Sequence, residues 1–134
     1  DEKIALETDE KLIKIIFGNL IENALTFKKP IKSITHISGS VSKSNLQIIF
    51  EDNGIGIPSE FHKKIFDMFY RASDLSKGSG LGLYLVKKSI EKLDGEINIE
   101  SEKGRFTKII LQLPGVSIKK KAKSQHSNKE SITI

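Results

Sequence analysis

Cysteine and tryptophan are absent from the 134 residues, methionine occurs once and proline three times. Without thiols there can be no disulfide and no thiolate metal site, which fits a reducing compartment. No apolar run approaches the ~20 residues of a membrane helix. The densest stretch, Leu12 to Phe17, already holds Lys14 and runs into Gly18. The opening Asp1-Glu2-Lys3 is charged and no apolar segment follows it, so no signal peptide is expected. The first residue is not Met, and the expectation is a chain that begins inside a longer protein.

An excess of one charge is nearly lacking too. The net charge is +5, but from Gly115 onward there are five Lys and one Glu. Residues 1–114 hold 17 basic and 16 acidic side chains. A body so close to neutral argues against a nucleic-acid-binding surface on the fold. Apolar residues thin out from Ser117, so 115–134 is expected to be a disordered basic tail behind a 1–114 domain.

What is present is periodic. Thr8 or Asp9 can cap a helix to about Phe27, with Leu12, Ile16, Leu20, Ala24 and Phe27 on one stripe. Ile31–Ile37 and Leu46–Asp52 are expected as strands, with a turn over Gly39–Asn45. A short helix is expected over Ser59–Phe66 and a mobile loop over 67–80. A helix over Leu81–Leu93 should end on a left-handed Gly95. A hairpin of Glu96–Ser101 and Arg105–Leu113 then closes at Pro114. This order predicts an α+β fold, a two-layer α/β sandwich whose mixed sheet carries helices on one face.

Four segments can carry chemistry. Asn19 and Asn23 are four apart, hence on one helix face, and their amide oxygens suit Mg²⁺ that keeps water and phosphate as its other ligands; a pair of capping or exposed amides is the plain alternative. Asp52, ending an apolar strand, can accept from an adenine amine and would repel guanine. Gly54 and Gly56 beyond it allow close backbone approach to a flat ligand, though Asn53-Gly54 could also be a simple turn. Gly78-Ser79-Gly80-Leu81-Gly82 opens a helix whose first amides suit phosphate, or else is a linker. Phe66-Asp67-Met68-Phe69 offers core aromatics, and Arg71 a cation for phosphate or for Asp67.

In this order the segments resemble the catalytic and ATP-binding domain of sensor histidine kinases, which has a Bergerat-type fold. Asn19-Leu20-Ile21-Glu22-Asn23-Ala24 is similar to the N box, and Asp52 to Pro58 to the G1 box. Phe66-Asp67-Met68-Phe69 resembles the F box and Gly78 to Leu83 the G2 box; the match spans about Glu7 to Pro114. The resemblance implies ATP and Mg²⁺ as cofactors, the metal on Asn19 and Asn23. It implies adenine on Asp52 in a pocket shaped by Gly54, Gly56 and Ile57, and an ATP lid over 67–80. Phe69, Gly80, Leu81 and Gly82 would approach the nucleotide, and Arg71 the γ-phosphate, with Asn19 and Arg71 the catalytic pair. The reaction implied is phosphoryl transfer to a histidine on an acceptor and dimerisation domain absent here, with a response regulator downstream. It also implies a cytoplasmic place for this piece, whether or not the parent is membrane-anchored, and a monomeric fragment.

Two departures stand out. The family's phosphate-binding Lys, three residues after the second Asn, is Thr26 here. Lys28 points about 200° away on a helix and Lys29 stands one turn on, against Pro30. His36, His62 and His126 precede Ile37, Lys63 and Ser127, so none has the acidic successor of an acceptor histidine. Related ATPases of the gyrase, heat-shock-90 and mismatch-repair type place Glu where Asn19 stands, and an amide cannot take a proton from water. A serine kinase of the anti-sigma type, and a nucleotide-holding module without transfer, are the remaining alternatives.

Overall fold

In a computed structural model, residues 7–71, 80–115 and 129–133 are described. Helix α1, Glu10–Thr26, starts where Asp9 accepts from the N–H groups of Lys11 and Leu12 at 2.9 and 3.1 Å. Those are two of the four amides that any helix start leaves unpaired. Its stripe buries Ile16, Leu20 and Ala24.

Strand β1, Thr35–Ser42, pairs antiparallel with β2, Asn45–Asp52, from Thr35↔Asp52 to Ser42↔Asn45. The strand thus begins four residues later than expected and continues through the Gly39 region assigned to the turn. Cross-strand pairing with Gln47, Ile48 and Ile49 holds that weak segment extended. The turn itself is only Lys43 and Ser44, both left-handed with φ of 48° and 64°. Two such residues give a loop whose twist matches the flanking strands.

Over 59–66 a 3₁₀ turn, Ser59–Phe61, replaces the expected helix, and bonds such as Lys64 N–H to Phe61 O (2.9 Å) continue it as separate turns. Tight i→i+3 turns of this kind do not extend far. They suffice to bury Ile65 and Phe66. Helix α2, Gly82–Lys92, ends with Asp94, not Gly95, in the left-handed conformation (φ 57°), while Gly95 N–H closes onto Ile90 O at 2.9 Å. Gly95 is glycine for space: a Cβ there would lie 2.5 Å from Gln112 O.

Strands β3, Glu96–Glu102, and β4, Phe106–Leu113, form the expected hairpin. A fifth strand, β5, Lys129–Thr133, lies within the stretch expected to be disordered and pairs with β1. Its polar sequence hides a strand that backbone bonding to an existing edge makes possible. The sheet order is β3-β4-β2-β1-β5, and each described pairing is antiparallel, which corrects the expected mixed sheet. No helix among the described residues is long and apolar enough to cross a membrane.

One core joins the helices to a single face of this sheet. Ile16 and Leu20, with Val86 and Ile90, cluster on Ile37, Ile48, Phe50, Ile109, Leu111 and Leu113. The alternation in β4 (Thr107, Ile109, Leu111, Leu113 inward) is that of a half-wet antiparallel sheet. On the wet face Lys108 stands beside Glu51 at 3.9 Å and Glu100 at 3.6 Å. Exposed ion pairs of this kind add ~0–1 kcal/mol, so the core sets the geometry.

Candidate functional site

Asn19 uses its amide N–H on the carbonyl of Ile15 at 2.7 Å, which leaves Oδ1 as its available ligand atom. That oxygen faces the start of α2: a Cβ built on Gly82 would come within 3.2 Å of it. The first residue of α2 and the asparagine face of α1 are therefore adjacent. Asn23 is half-buried one turn further on. Thr26 turns its hydroxyl onto Glu22 O at 2.8 Å.

Asp52 ends β2 between the buried Thr35 and Thr107, its register partners on the two neighbouring strands. Its Oδ1 accepts from Gly54 N–H at 2.9 Å. Burial holds this carboxyl above the usual aspartate range; the Gly54 N–H pulls it down and the charge of Glu51 pushes it up.

The loop after Asp52 is fastened at nearly every peptide. Ile55 donates to Phe27 O at 3.0 Å and accepts from Gly104 N–H at 2.6 Å. Ile57 donates to Ser101 Oγ at 2.8 Å, and its carbonyl stands 2.9 Å from His62 Nε2, which must carry the proton. The glycines are required by space. A Cβ on Gly54 would lie 2.5 Å from Phe27 O, and one on Gly56 (φ 66°) 2.0 Å from Glu102 O. Asn53 faces away and clasps the 32–34 segment, accepting from Ile34 N–H at 2.8 Å and donating to Lys32 O at 2.9 Å.

Phe69 (φ 63°) donates its N–H to Gly80 O at 3.0 Å, and a Cβ on Gly80 would come within 2.6 Å of the Phe69 backbone. The two ends of the expected lid thus touch. Its middle, 72–79, and with it the expected mobility, lies outside the described residues. Phe66 is core, whereas Phe69 is 65% exposed. Leu81 caps α2, Ile57 packs at the core edge and Arg71 is exposed.

The family model for "histidine kinase-, DNA gyrase B-, and HSP90-like ATPase" matches residues 8–117. The chain belongs to that family. Within it the chain is similar to sensor histidine kinases: the sensor protein RprX of Bacteroides fragilis is 41% identical over 111 residues, 79% of this chain and 21% of that protein. The catalytic domain of the histidine kinase ThkA is 27% identical with a TM-score of 0.70, covering 82% of this chain and 70% of that one. Full-length ShkA, solved in complex with AMPPNP, shares the fold at 20% identity and a TM-score of 0.75, over 87% of this chain and 24% of that one. The chain spans about a fifth of RprX. Asn19 to Ala24 lie on α1, Asp52 to Pro58 run on from the end of β2, and Gly80 to Leu83 lead into α2. The fastening residues Ser101 and His62 belong to none of the motifs, because each holds a loop peptide. A shallow cleft of about 260 Å³, lined by Lys87, Glu91, Glu96 and Asn98 among others, shares no residue with this site.

Proposed function

We propose that the chain is the nucleotide-binding and catalytic unit of a sensor histidine kinase, moving the γ-phosphoryl group of ATP to a histidine on a separate helical domain. The observation that carries this is the half-buried Asp52 carboxylate, fixed by Gly54 beside a loop that only glycine can build. It would accept the adenine amine, with Gly54, Gly56 and Ile57 walling the base. Asn19 and Asn23 fit Mg²⁺: they offer two neutral oxygens one helical turn apart, and the Ile15 bond turns Asn19 Oδ1 toward the start of α2. Bound there, the metal would neutralise phosphate charge. Phe69, Gly80, Leu81 and Gly82 would line the phosphate side, and Arg71 would reach the γ-phosphate. The domain thereby positions and neutralises, and it supplies no proton acceptor for water at Asn19.

A dimerising acceptor domain, a response regulator, a cytoplasmic location and a monomeric isolated fragment belong to the same reading. Titration with AMPPNP, with and without Mg²⁺, tests it on the wild type and on Asn23→Ala. The wild type should bind in a Mg²⁺-dependent way and Asn23→Ala should lose that dependence. No binding at millimolar nucleotide would overturn the proposal. A holding module without transfer is the second reading, favoured by Thr26, whose hydroxyl is committed to Glu22. Phosphotransfer to a supplied acceptor domain separates the two.

A further inference from the structure

Lys29 is the nearest candidate, from the sequence, to replace the missing phosphate lysine, and its geometry says otherwise. Its ammonium donates to the carbonyl of Gly104 at 2.5 Å, across 75 residues of chain. Gly104 in turn donates its N–H to Ile55 O at 2.6 Å, and Ile55 donates to Phe27 O at 3.0 Å. Phe27 is only two residues before Lys29. The bonds therefore close a ring: end of α1, base-side loop, β3–β4 turn, and back to α1. Lys29 is its one side-chain link and its one charged donor.

We infer that Lys29 is a positioning residue for the adenine-binding loop, acting through Gly104 and Ile55, and is not a phosphate ligand. The inference rests on the nucleotide-binding role proposed above. Opening the ring leaves the β3–β4 turn tied to the end of α1 through Ile55 alone. Ile55 then keeps its bonds to Phe27 and from Gly104, but the Gly104 peptide that holds its carbonyl loses the anchor on its own carbonyl side. Ser101 holds the same loop from the neighbouring position through Ile57 N–H at 2.8 Å. Weakening either tie should cost base recognition, whatever the number of phosphates on the ligand.

Calorimetry of the full chain with adenosine, ADP and AMPPNP, all in Mg²⁺, tests this on Lys29→Met, Lys29→Arg and Ser101→Ala. Lys29→Met should bind all three ligands weaker by one common factor of about three to ten, the worth of one ordinary hydrogen bond. Lys29→Arg should restore most of it, and Ser101→Ala should show the same ligand-independent loss. A loss that grows from adenosine to ADP to AMPPNP would make Lys29 a phosphate ligand and overturn the inference. Unchanged affinity in Lys29→Met would reduce the contact to a surface tie, with the nucleotide site intact. A wild type that binds none of the three removes both this role and the proposed function.

Discussion

At Asp52, three influences meet on one carboxyl: burial raises it, the Gly54 amide lowers it and Glu51 raises it again. The net shift is upward, so the folded chain holds this proton more tightly than the unfolded one. What the group adds to stability is complete below the unfolded pKa and is lost as pH rises through the folded one. At neutral pH the ionised form is a burden to the fold. Asp52→Asn should therefore melt at or above the wild-type temperature, while adenosine binding weakens about 10- to 100-fold, the scale of a bond to a charged acceptor. Adenosine, which carries no phosphate to titrate, should also lose affinity on acidification at a higher pH than an ordinary aspartate would cause. A flat affinity profile down to the normal aspartate range would contradict the assignment. The placement of Asp52 at the end of an apolar strand, with Gly54 and Gly56 in the loop after it, was legible from the strand pattern and the glycine spacing. Lys29 and Ser101 were not, since their partners lie 75 and 44 residues away in sequence and only the fold joins them.

Helix α1 was legible almost to the residue: a capping Asp9 and a four-residue step of apolar positions leave little choice. One position in it is suboptimal. Gly18 is exposed within the helix, and a Cβ there would meet nothing within 4 Å. Gly18→Ala should raise the unfolding free energy by ~0.5–1 kcal/mol in urea titration, by reducing backbone freedom in the unfolded chain. A loss of stability would mean that Gly18 has a packing role the geometry does not reveal. Ser38-Gly39-Ser40 has turn composition, yet it lies within β1 because its partner strand imposes extension. Lys43-Ser44 lacks the Asn-Gly signature of a two-residue turn, so the pairing on both sides, not the turn residues, sets its length. Asp94 took the left-handed position because Gly95 was needed where no side chain fits.

For the molecule as a whole, the order of the sheet could not be read from the chain. Periodicity distinguishes strands from helices but does not say which strand lies beside which. The last strand is the clearest instance: β5 reaches the sheet by pairing with β1, and His36 Nδ1 lies 3.0 Å from Thr133 Oγ1. Ile132 is 64% exposed, so this strand adds little apolar burial. Removing 129–134 should change unfolding free energy by no more than ~1–2 kcal/mol, backbone bonding being offset by ordering entropy. Hydrogen exchange should meanwhile speed up at the freed edge of β1. Large destabilisation would show that β5 belongs to the core after all.

The loop beyond Asp52 is where a helix end, a strand end and a hairpin turn, drawn from distant parts of the chain, are stitched to one another. A guest seated there would act as a further strut between them, and only in the assembled state. ADP at a hundred times its dissociation constant should thus lift the unfolding free energy by ~2.7 kcal/mol, and a melting curve indifferent to ADP would mean that nothing spans that junction.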